Sequence, residues 1–147
     1  MNERQLRIYS ELRKDARKTL SEIGAATNMP VSTVFEHLRQ FEKKLNPRYA
    51  ALLDFNRLRV IRANFVVACS KKAEVRHFLL NHKNTNSVFR INNNFDFFVE
   101  AAFFDMQQFE QFCDGLSGLK AKARIHFVVE TMKKECFSQE SLMSFLK

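Results

Sequence analysis

The segment Leu20–Lys44, LSEIGAATNMPVSTVFEHLRQFEKK, determines the architecture of the N-terminal part of the chain. Its apolar residues recur at helical spacing on both sides of Pro30, a residue that suits the first turn of a helix. The spacing predicts helices over residues 20–27 and 31–44, and an earlier one over residues 3–14. Two helices joined by a short turn, with a third packed across them, form a helix-turn-helix.

Local signals support these three helices. Thr19 and Glu22, three residues apart, match the pattern of a capping box at the start of the second helix. We expect one apolar face of each helix to turn inward, with a core made of Leu6, Tyr9, Leu12, Leu20, Ile23, Ala26, Val34, Leu38 and Phe41.

The other faces of the helix over residues 31–44 are polar and hold candidate DNA-binding residues. Hydroxyl groups and free backbone N–H groups near a helix N-terminus can bind phosphates. Arginine and glutamine can reach base edges, and an aromatic ring can contact a thymine methyl group. The candidates, with two cations that precede the second helix, are Arg17, Lys18, Ser32, Thr33, Phe35, Glu36, His37, Arg39, Gln40, Lys43 and Lys44. The alternative is the solvated face of a helical bundle, and the pattern alone favours neither interpretation.

After Asn46-Pro47 the pattern changes to alternating strands and helices. It predicts strands over residues 60–68, 87–91, 95–103 and 121–132, and a helix over residues 71–82. A second helix should begin after an N-cap at Asp105 and run through residue 112, with Gly115 and Gly118 marking its end. Asn92-Asn93-Asn94 is typical of a hairpin turn, because asparagine tolerates a positive φ. This βαββαβ order is the ferredoxin-like arrangement, an α+β fold of four antiparallel strands with two helices on one face.

The other face of such a sheet needs a cover. The strand that includes Phe95–Phe104 has apolar residues on both faces, so we infer a homodimer formed through the open face. An aromatic platform for single-stranded nucleic acid is the alternative use of this sheet. Asp96 and Glu100, beside Arg90, disfavour that alternative.

Composition and charge restrict the class of protein. The chain has 147 residues and a formal net charge of +8, which attracts polyanions such as nucleic acid. It has no apolar run of membrane-spanning length and no signal-peptide pattern, so we expect a cytoplasmic protein without membrane contact. Its cysteines and histidines lack metal-ligand spacing, and no nucleophile motif or phosphate-binding glycine loop occurs. We therefore expect no metal, no cofactor and no enzymatic activity.

Five short motifs occur in a specific order: Lys14-Asp15-Ala16-Arg17, Leu20–Gly24, Ser32-Thr33-Val34, Tyr49–Asp54 and Phe95-Asp96. Together they resemble the Lrp/AsnC (feast/famine) family of transcriptional regulators over about residues 3–135. The resemblance implies three segments: a winged helix-turn-helix (residues 1–48), a hinge strand or linker (49–57) and a βαββαβ ligand-sensing (RAM) domain (58–136). The tail, residues 137–147, falls outside the resemblance, and its apolar spacing predicts a short helix. The resemblance also implies sequence-specific binding of double-stranded DNA by a dimer or larger oligomer, up to an octamer, with the helix over residues 31–44 in the major groove.

The sequence departs from the family pattern at both of its candidate sites. Glu36 and His37 stand where family members usually have two basic residues. Asn46 replaces a glycine after the helix, and we expect it to take the left-handed conformation. In the family, a Thr-Gly pair in the hairpin lines an amino-acid pocket; this chain has Asn92-Asn93 there and keeps Asp96. Asp96 is either a partner for an effector's amino group or a structural hairpin residue.

Three alternatives stay open at this point. The first is a weakly specific, chromatin-like DNA binder without an effector, which the net charge and Glu36 favour. The second is an enzyme, since some relatives of this architecture decarboxylate sirohaem; Asn84-Thr85-Asn86 lies where those relatives have His-Asn-Tyr, which disfavours it. The third concerns the tail, where Ser138 is a candidate cap: it packs on the sensing domain or a neighbouring subunit, or it binds a partner.

Overall fold

The computed structural model describes residues 3–47, 49, 53–55 and 57–133. The chain divides into two compact units: the described residues of the first are 3–47, 49 and 133, and the second spans Leu53–Met132. The predicted tail helix over residues 137–147 lies outside the described residues, as does part of the predicted hinge strand over residues 49–57. The domain boundaries given above therefore stay a prediction.

The described residues of the first unit form three helices, α1 (Glu3–Lys14), α2 (Leu20–Thr27) and α3 (Val31–Leu45). They agree with the predicted bounds, with α3 one residue longer. Their core consists of buried Ile8, Tyr9, Ile23 and Val34, with Leu12, Leu20, Met29, Leu38 and Phe41 packed around it.

One predicted core residue of α2 is wrong. Ala26 is exposed, whereas Thr27 is buried and takes the inward position one residue later. The Thr27 hydroxyl donates a hydrogen bond to the backbone oxygen of Ile23 at 2.7 Å. That bond satisfies the hydroxyl, so its burial carries no penalty for an unpaired polar group.

The capping box predicted at the start of α2 is confirmed. The backbone N–H of Glu22 donates to Thr19 Oγ1 at 3.2 Å. In return, the backbone N–H of Thr19 donates to Glu22 Oε2 at 2.7 Å. The backbone N–H and then the hydroxyl of Thr19, both donating to the Glu22 carboxylate, hold the pKa of that carboxyl below its ordinary value. Two N-terminal donors of α2 are thereby satisfied.

Replacing Thr19 with alanine should lower the free energy of unfolding of the first unit by about 1 kcal/mol. The hydroxyl would lose the bond that it accepts from the Glu22 N–H and the bond that it donates to Glu22 Oε2 at 2.8 Å. Urea unfolding followed by the helical circular-dichroism signal measures this change. Ser21→Ala is the matched control, because Ser21 is exposed on the same helix. Equal unfolding free energies for the Thr19 variant and the native chain would show that the cap contributes nothing.

The second unit contains four strands and two helices. They are β1 (Ile61–Ala68), α4 (Lys72–Asn81), β2 (Thr85–Arg90), β3 (Phe97–Phe103), α5 (Met106–Gly118) and β4 (Lys122–Phe127). The strand order is β2-β3-β1-β4, and every neighbouring pair is antiparallel. The ferredoxin-like fold is thus confirmed. The last strand ends at Phe127, five residues before the predicted end at Met132.

The core of the second unit lies between one sheet face and the two helices. Alternate residues of β1 and β3 are buried, and their partners on the other face are partly exposed. Phe65 from β1, Phe103 from β3 and Phe112 from α5 are its largest fully buried side chains. This alternation is the pattern of a sheet with a single covered face.

Gly115 does not end α5, so that prediction is wrong. The residue lies inside the helix, which continues to Gly118. A Cβ atom at position 115 would lie 2.6 Å from Cζ of Phe78. Glycine is required here because a ring from α4 packs directly on the α5 backbone.

The predicted asparagine hairpin between β2 and β3 is confirmed. Asn93 has a φ of 59° and Asn94 a φ of 68°, both in the left-handed region. The backbone N–H of Ile91 donates to the oxygen of Asp96 at 3.1 Å across the turn. Two successive left-handed residues give the twist that a tight hairpin needs.

Candidate nucleic-acid interface

A tight turn fixes where α3 begins relative to α2. Asn28 ends α2 in the left-handed conformation, with a φ of 56°, and donates its N–H to the oxygen of Gly24. The N–H of Met29 donates to the same oxygen at 2.9 Å. Gly24 itself is buried, and a Cβ atom there would lie 2.8 Å from the backbone oxygen of Met29. Because Gly24 has no side chain, the turn at Met29 packs directly against the backbone of α2.

The N-terminus of α3 has open hydrogen-bond donors. Its N-cap is Pro30, which makes no side-chain capping bond. The first backbone N–H groups of a helix have no acceptor within the helix. Ser32, in this first turn, is exposed and adds a hydroxyl group. Such an end binds phosphate well, since the helix dipole adds a partial positive charge there.

One side of α3 is exposed among the residues that the structure describes. We call it the exposed α3 face; its residues follow helical spacing and are Ser32, Phe35, Glu36, Arg39 and Lys43. The Phe35 side chain is 50% exposed, which is unusual for an aromatic residue on a small helical unit. None of the three charged residues forms a salt bridge within the described part of the chain. Lys44 and Gln40 are exposed beside this face, and Gln5 Nε2 contacts Gln40 Oε1 at 3.5 Å.

Thr33 and His37 differ from the other candidates on α3 because both are half-buried. The backbone oxygen of His37 accepts a hydrogen bond from the Tyr9 hydroxyl at 3.5 Å. Burial raises the pKa of Tyr9 to about 12, so this hydroxyl stays a neutral donor. The Nδ1 atom of His37 is buried without a partner among the described residues. These two residues thus lie at the edge of the α3 core rather than at the centre of its solvent face.

The two cations before α2 are in different situations. The Glu11 carboxylate binds the ammonium groups of both Lys14 and Lys18. Its side chain is only 12% exposed, and the bonds to Lys14 and then Lys18 lower the pKa of Glu11. Arg17 is exposed, and its backbone N–H donates a hydrogen bond to Asp15 Oδ1 at 2.9 Å. The Lys18 ammonium is therefore held against Glu11, which it shares with Lys14, whereas the guanidinium of Arg17 faces solvent.

In the second unit, the candidate effector residues surround the hairpin. Asn92 and Asn93 are exposed. One oxygen of Asp96 accepts the backbone N–H of Cys69 at 2.9 Å, and the other binds Nζ of Lys72 at 2.7 Å. The bonds to Lys72 and then Cys69 lower the pKa of Asp96. Both carboxylate oxygens thus connect the hairpin to the start of α4.

The sheet face opposite the helices is open within the second unit. Two cross-strand rows run over it, Phe89-Phe98-Val66-Arg124 and Ser87-Glu100-Asn64-His126. The ring centroids of Phe89 and Phe98 lie 6.2 Å apart, and Phe89 is 51% exposed. Apolar and charged groups are thus mixed on this face, as they are in many protein interfaces.

Two classes of feature are lacking among the described residues. No group of three or more His, Cys, Asp or Glu side chains is arranged to hold a metal ion. None of the described helices has both the length and the hydrophobicity for crossing a membrane.

Comparison with known proteins agrees with this geometry. Residues 1–44 match the family model described as winged helix-turn-helix DNA-binding. The chain also shares its fold with a transcriptional regulator of Neisseria meningitidis solved with L-methionine, with a TM-score of 0.83 and 22% identity over 91% of this chain and 93% of that one. Bacillus subtilis LrpC gives a TM-score of 0.82 and 18% identity over 90% of this chain and 97% of that one. An AsnC family regulator of Agrobacterium tumefaciens gives a TM-score of 0.79 and 12% identity over 91% of this chain and 94% of that one.

The three helices α1 to α3 accordingly have the helix-turn-helix arrangement that this family model describes. Over about nine-tenths of its length, the chain has the fold of the Lrp/AsnC regulators, and the predicted resemblance is confirmed. No curated protein sequence matches the chain.

Proposed function

We propose that the protein is a sequence-specific transcriptional regulator of the Lrp/AsnC type that inserts α3 into the major groove of DNA. The observation that carries this proposal is the exposed α3 face, which presents two unpaired cations and an exposed aromatic ring. An α-helix fits the major groove, and helix-turn-helix proteins use their second motif helix there.

The residues of this interface have distinct proposed roles. Ser32 and the open N–H groups of α3 bind a phosphate, while Arg39 reaches a base edge, where arginine pairs best with guanine. Arg17, Lys43 and Lys44 bind phosphates at the edges of the contact. Thr33 and His37 contribute less because they are half-buried, and Lys18 contributes less because Glu11 binds it.

We propose a homodimer, and larger assemblies up to an octamer, with the open sheet face as the first interface. The apolar groups Phe89, Phe98 and Val66 on that face support this interface, because a sheet with one uncovered apolar face gains from a partner. Two copies of α3 would then contact half-sites about 34 Å apart.

We also propose that a small effector, such as an amino acid, binds near the hairpin of Asn92 and Asn93. The L-methionine complex of the Neisseria neighbour supports this class of ligand. Asp96 already has two partners, so its role would be to hold the hairpin in position. A change in DNA affinity on adding amino acids one at a time would identify the effector.

The decisive test is selection of duplexes from a randomised pool, followed by fluorescence anisotropy on a selected and a scrambled duplex at near-physiological salt. We expect the selected duplex to bind at least ~100-fold more tightly, a modest ratio for specific binders. Arg39→Ala should lower that affinity by ~10-fold or more, since a base contact of this type contributes about 1–3 kcal/mol. Arg76→Ala on α4 removes the same charge from another exposed position and should change little.

Two results would contradict the proposal. Equal affinity for both duplexes with a steep salt dependence would indicate the weakly specific, chromatin-like binder instead. Equal effects of the Arg39 and Arg76 substitutions would show that α3 does not enter the groove.

A further inference from the structure

We infer that Glu36 makes the exposed α3 face selective for cytosine, by accepting a hydrogen bond from the cytosine 4-amino group in the major groove. The inference rests on the proposed function and identifies a base that the helix recognises. Glu36 is a specificity-determining residue in this account, and Arg39 supplies the affinity beside it.

The Glu36 carboxylate is exposed on α3 and can accept hydrogen bonds from an approaching ligand. Glu36 is exposed, and on the helix surface it lies between Ser32, one turn before, and Arg39, nearly one turn after. No salt bridge of Glu36 occurs among the described residues, although Arg39 is within reach along the helix. The carboxylate is thus free to point away from the helix, toward whatever the helix approaches.

A carboxylate in the major groove can accept hydrogen bonds but cannot donate them. Guanine presents only acceptors there, and thymine presents an acceptor and a methyl group, so both leave Glu36 desolvated and unpaired. Adenine has an amino donor, but the N7 acceptor beside that donor repels the Glu36 carboxylate. Cytosine presents its amino group with no neighbouring acceptor on the same base. Cytosine is therefore the one base that satisfies this side chain without an opposing contact.

Charge explains why the selection should be strong. DNA phosphates repel a carboxylate, so Glu36 weakens binding to every site that does not compensate for its desolvation. Arg39 and Lys43 on the same face offset the phosphate repulsion without removing the need for a donor. Glu36 thus acts mainly by rejecting the wrong bases, which is an effective way to obtain specificity.

The experiment compares duplex selection by the full-length native chain, Glu36→Gln and Glu36→Ala from one randomised pool. Four duplexes that differ only at the affected base pair are then titrated by anisotropy. The native chain should prefer C·G at that position by ~10-fold or more. Glu36→Gln should shift the preference to A·T, because glutamine pairs with N6 and N7 of adenine. Glu36→Ala should lose the preference at that position and keep it elsewhere.

Glu110→Gln is the matched control, since Glu110 is exposed on α5 in the other unit and the substitution removes the same charge. It should leave the selected sequence unchanged. If the native chain selects a motif and both Glu36 variants select the identical motif, the inference is overturned and the proposed function stands. If the native chain selects no motif at all, the proposed function fails, and the inference fails with it.

Discussion

Phe65→Ala should lower the free energy of unfolding of the Leu53–Met132 unit by about 3–5 kcal/mol, the usual cost of removing a buried ring. The ring is fully buried at the centre of the aromatic core. Its centroid lies 4.9 Å from that of Phe112, 6.0 Å from Phe109 and 6.2 Å from Phe103. Alanine would leave a cavity lined by three rings on two elements, which cannot close without moving the sheet relative to α5.

Chemical denaturation followed by near-ultraviolet circular dichroism measures this loss, because the core rings lose their fixed surroundings on unfolding. Phe104→Ala is the matched control, since Phe104 is 75% exposed. We expect it to change the free energy of unfolding by less than about 0.5 kcal/mol. If the two variants were equally stable, the aromatic cluster would not be the centre of the core.

The second large effect is expected at Gly24, where alanine should destabilise the first unit by about 1–3 kcal/mol, the range for overpacking a tight site. The new Cβ atom would lie 2.8 Å from the backbone oxygen of Met29. That oxygen belongs to the turn that leads into α3, so relief of the contact must displace the start of α3. DNA affinity should fall as well, since the exposed α3 face moves relative to α2.

Gly118→Ala offers a direct comparison on α5. A Cβ atom there would have no described heavy atom within 4 Å beyond its chain neighbours and the backbone of its own helix. The substitution should therefore be neutral or should stabilise the chain by up to about 1 kcal/mol. Thermal unfolding of both variants and anisotropy on a selected duplex measure the two effects. Unchanged stability and DNA affinity in Gly24→Ala would mean that the α2–α3 turn adjusts freely.

Strong local signals made the elements predictable. The capping box at Thr19 and Glu22 and the apolar spacing of α1 to α3 determine where those helices begin and end. The hairpin was predictable because Asn93 and Asn94 are successive residues of a type that tolerates a positive φ. Local rules failed where packing decides: Gly115 resembles a helix terminator in the sequence, but Phe78 requires a residue without a side chain there.

The candidate interface was predictable in residue type but not in exposure. Helical spacing alone does not say that His37 and Thr33 are half-buried, because that depends on how far the core of the first unit extends around α3. The contact of Lys18 with Glu11 was also missed, since Glu11 lies seven residues earlier, across a turn. The Asp96 contacts with Cys69 and Lys72 likewise join residues far apart in the sequence.

The strand order β2-β3-β1-β4 affects how the chain folds as it is synthesised. The three helices of the first unit pair with near neighbours in the sequence, and such local contacts form quickly. Strand β1 is central, yet one of its partners, β4, is the last strand to leave the ribosome. Until then β1 has an unpaired edge, and such edges promote aggregation. The three helices α1 to α3 should therefore form on the nascent chain while the sheet of the second unit is still vulnerable to misassembly.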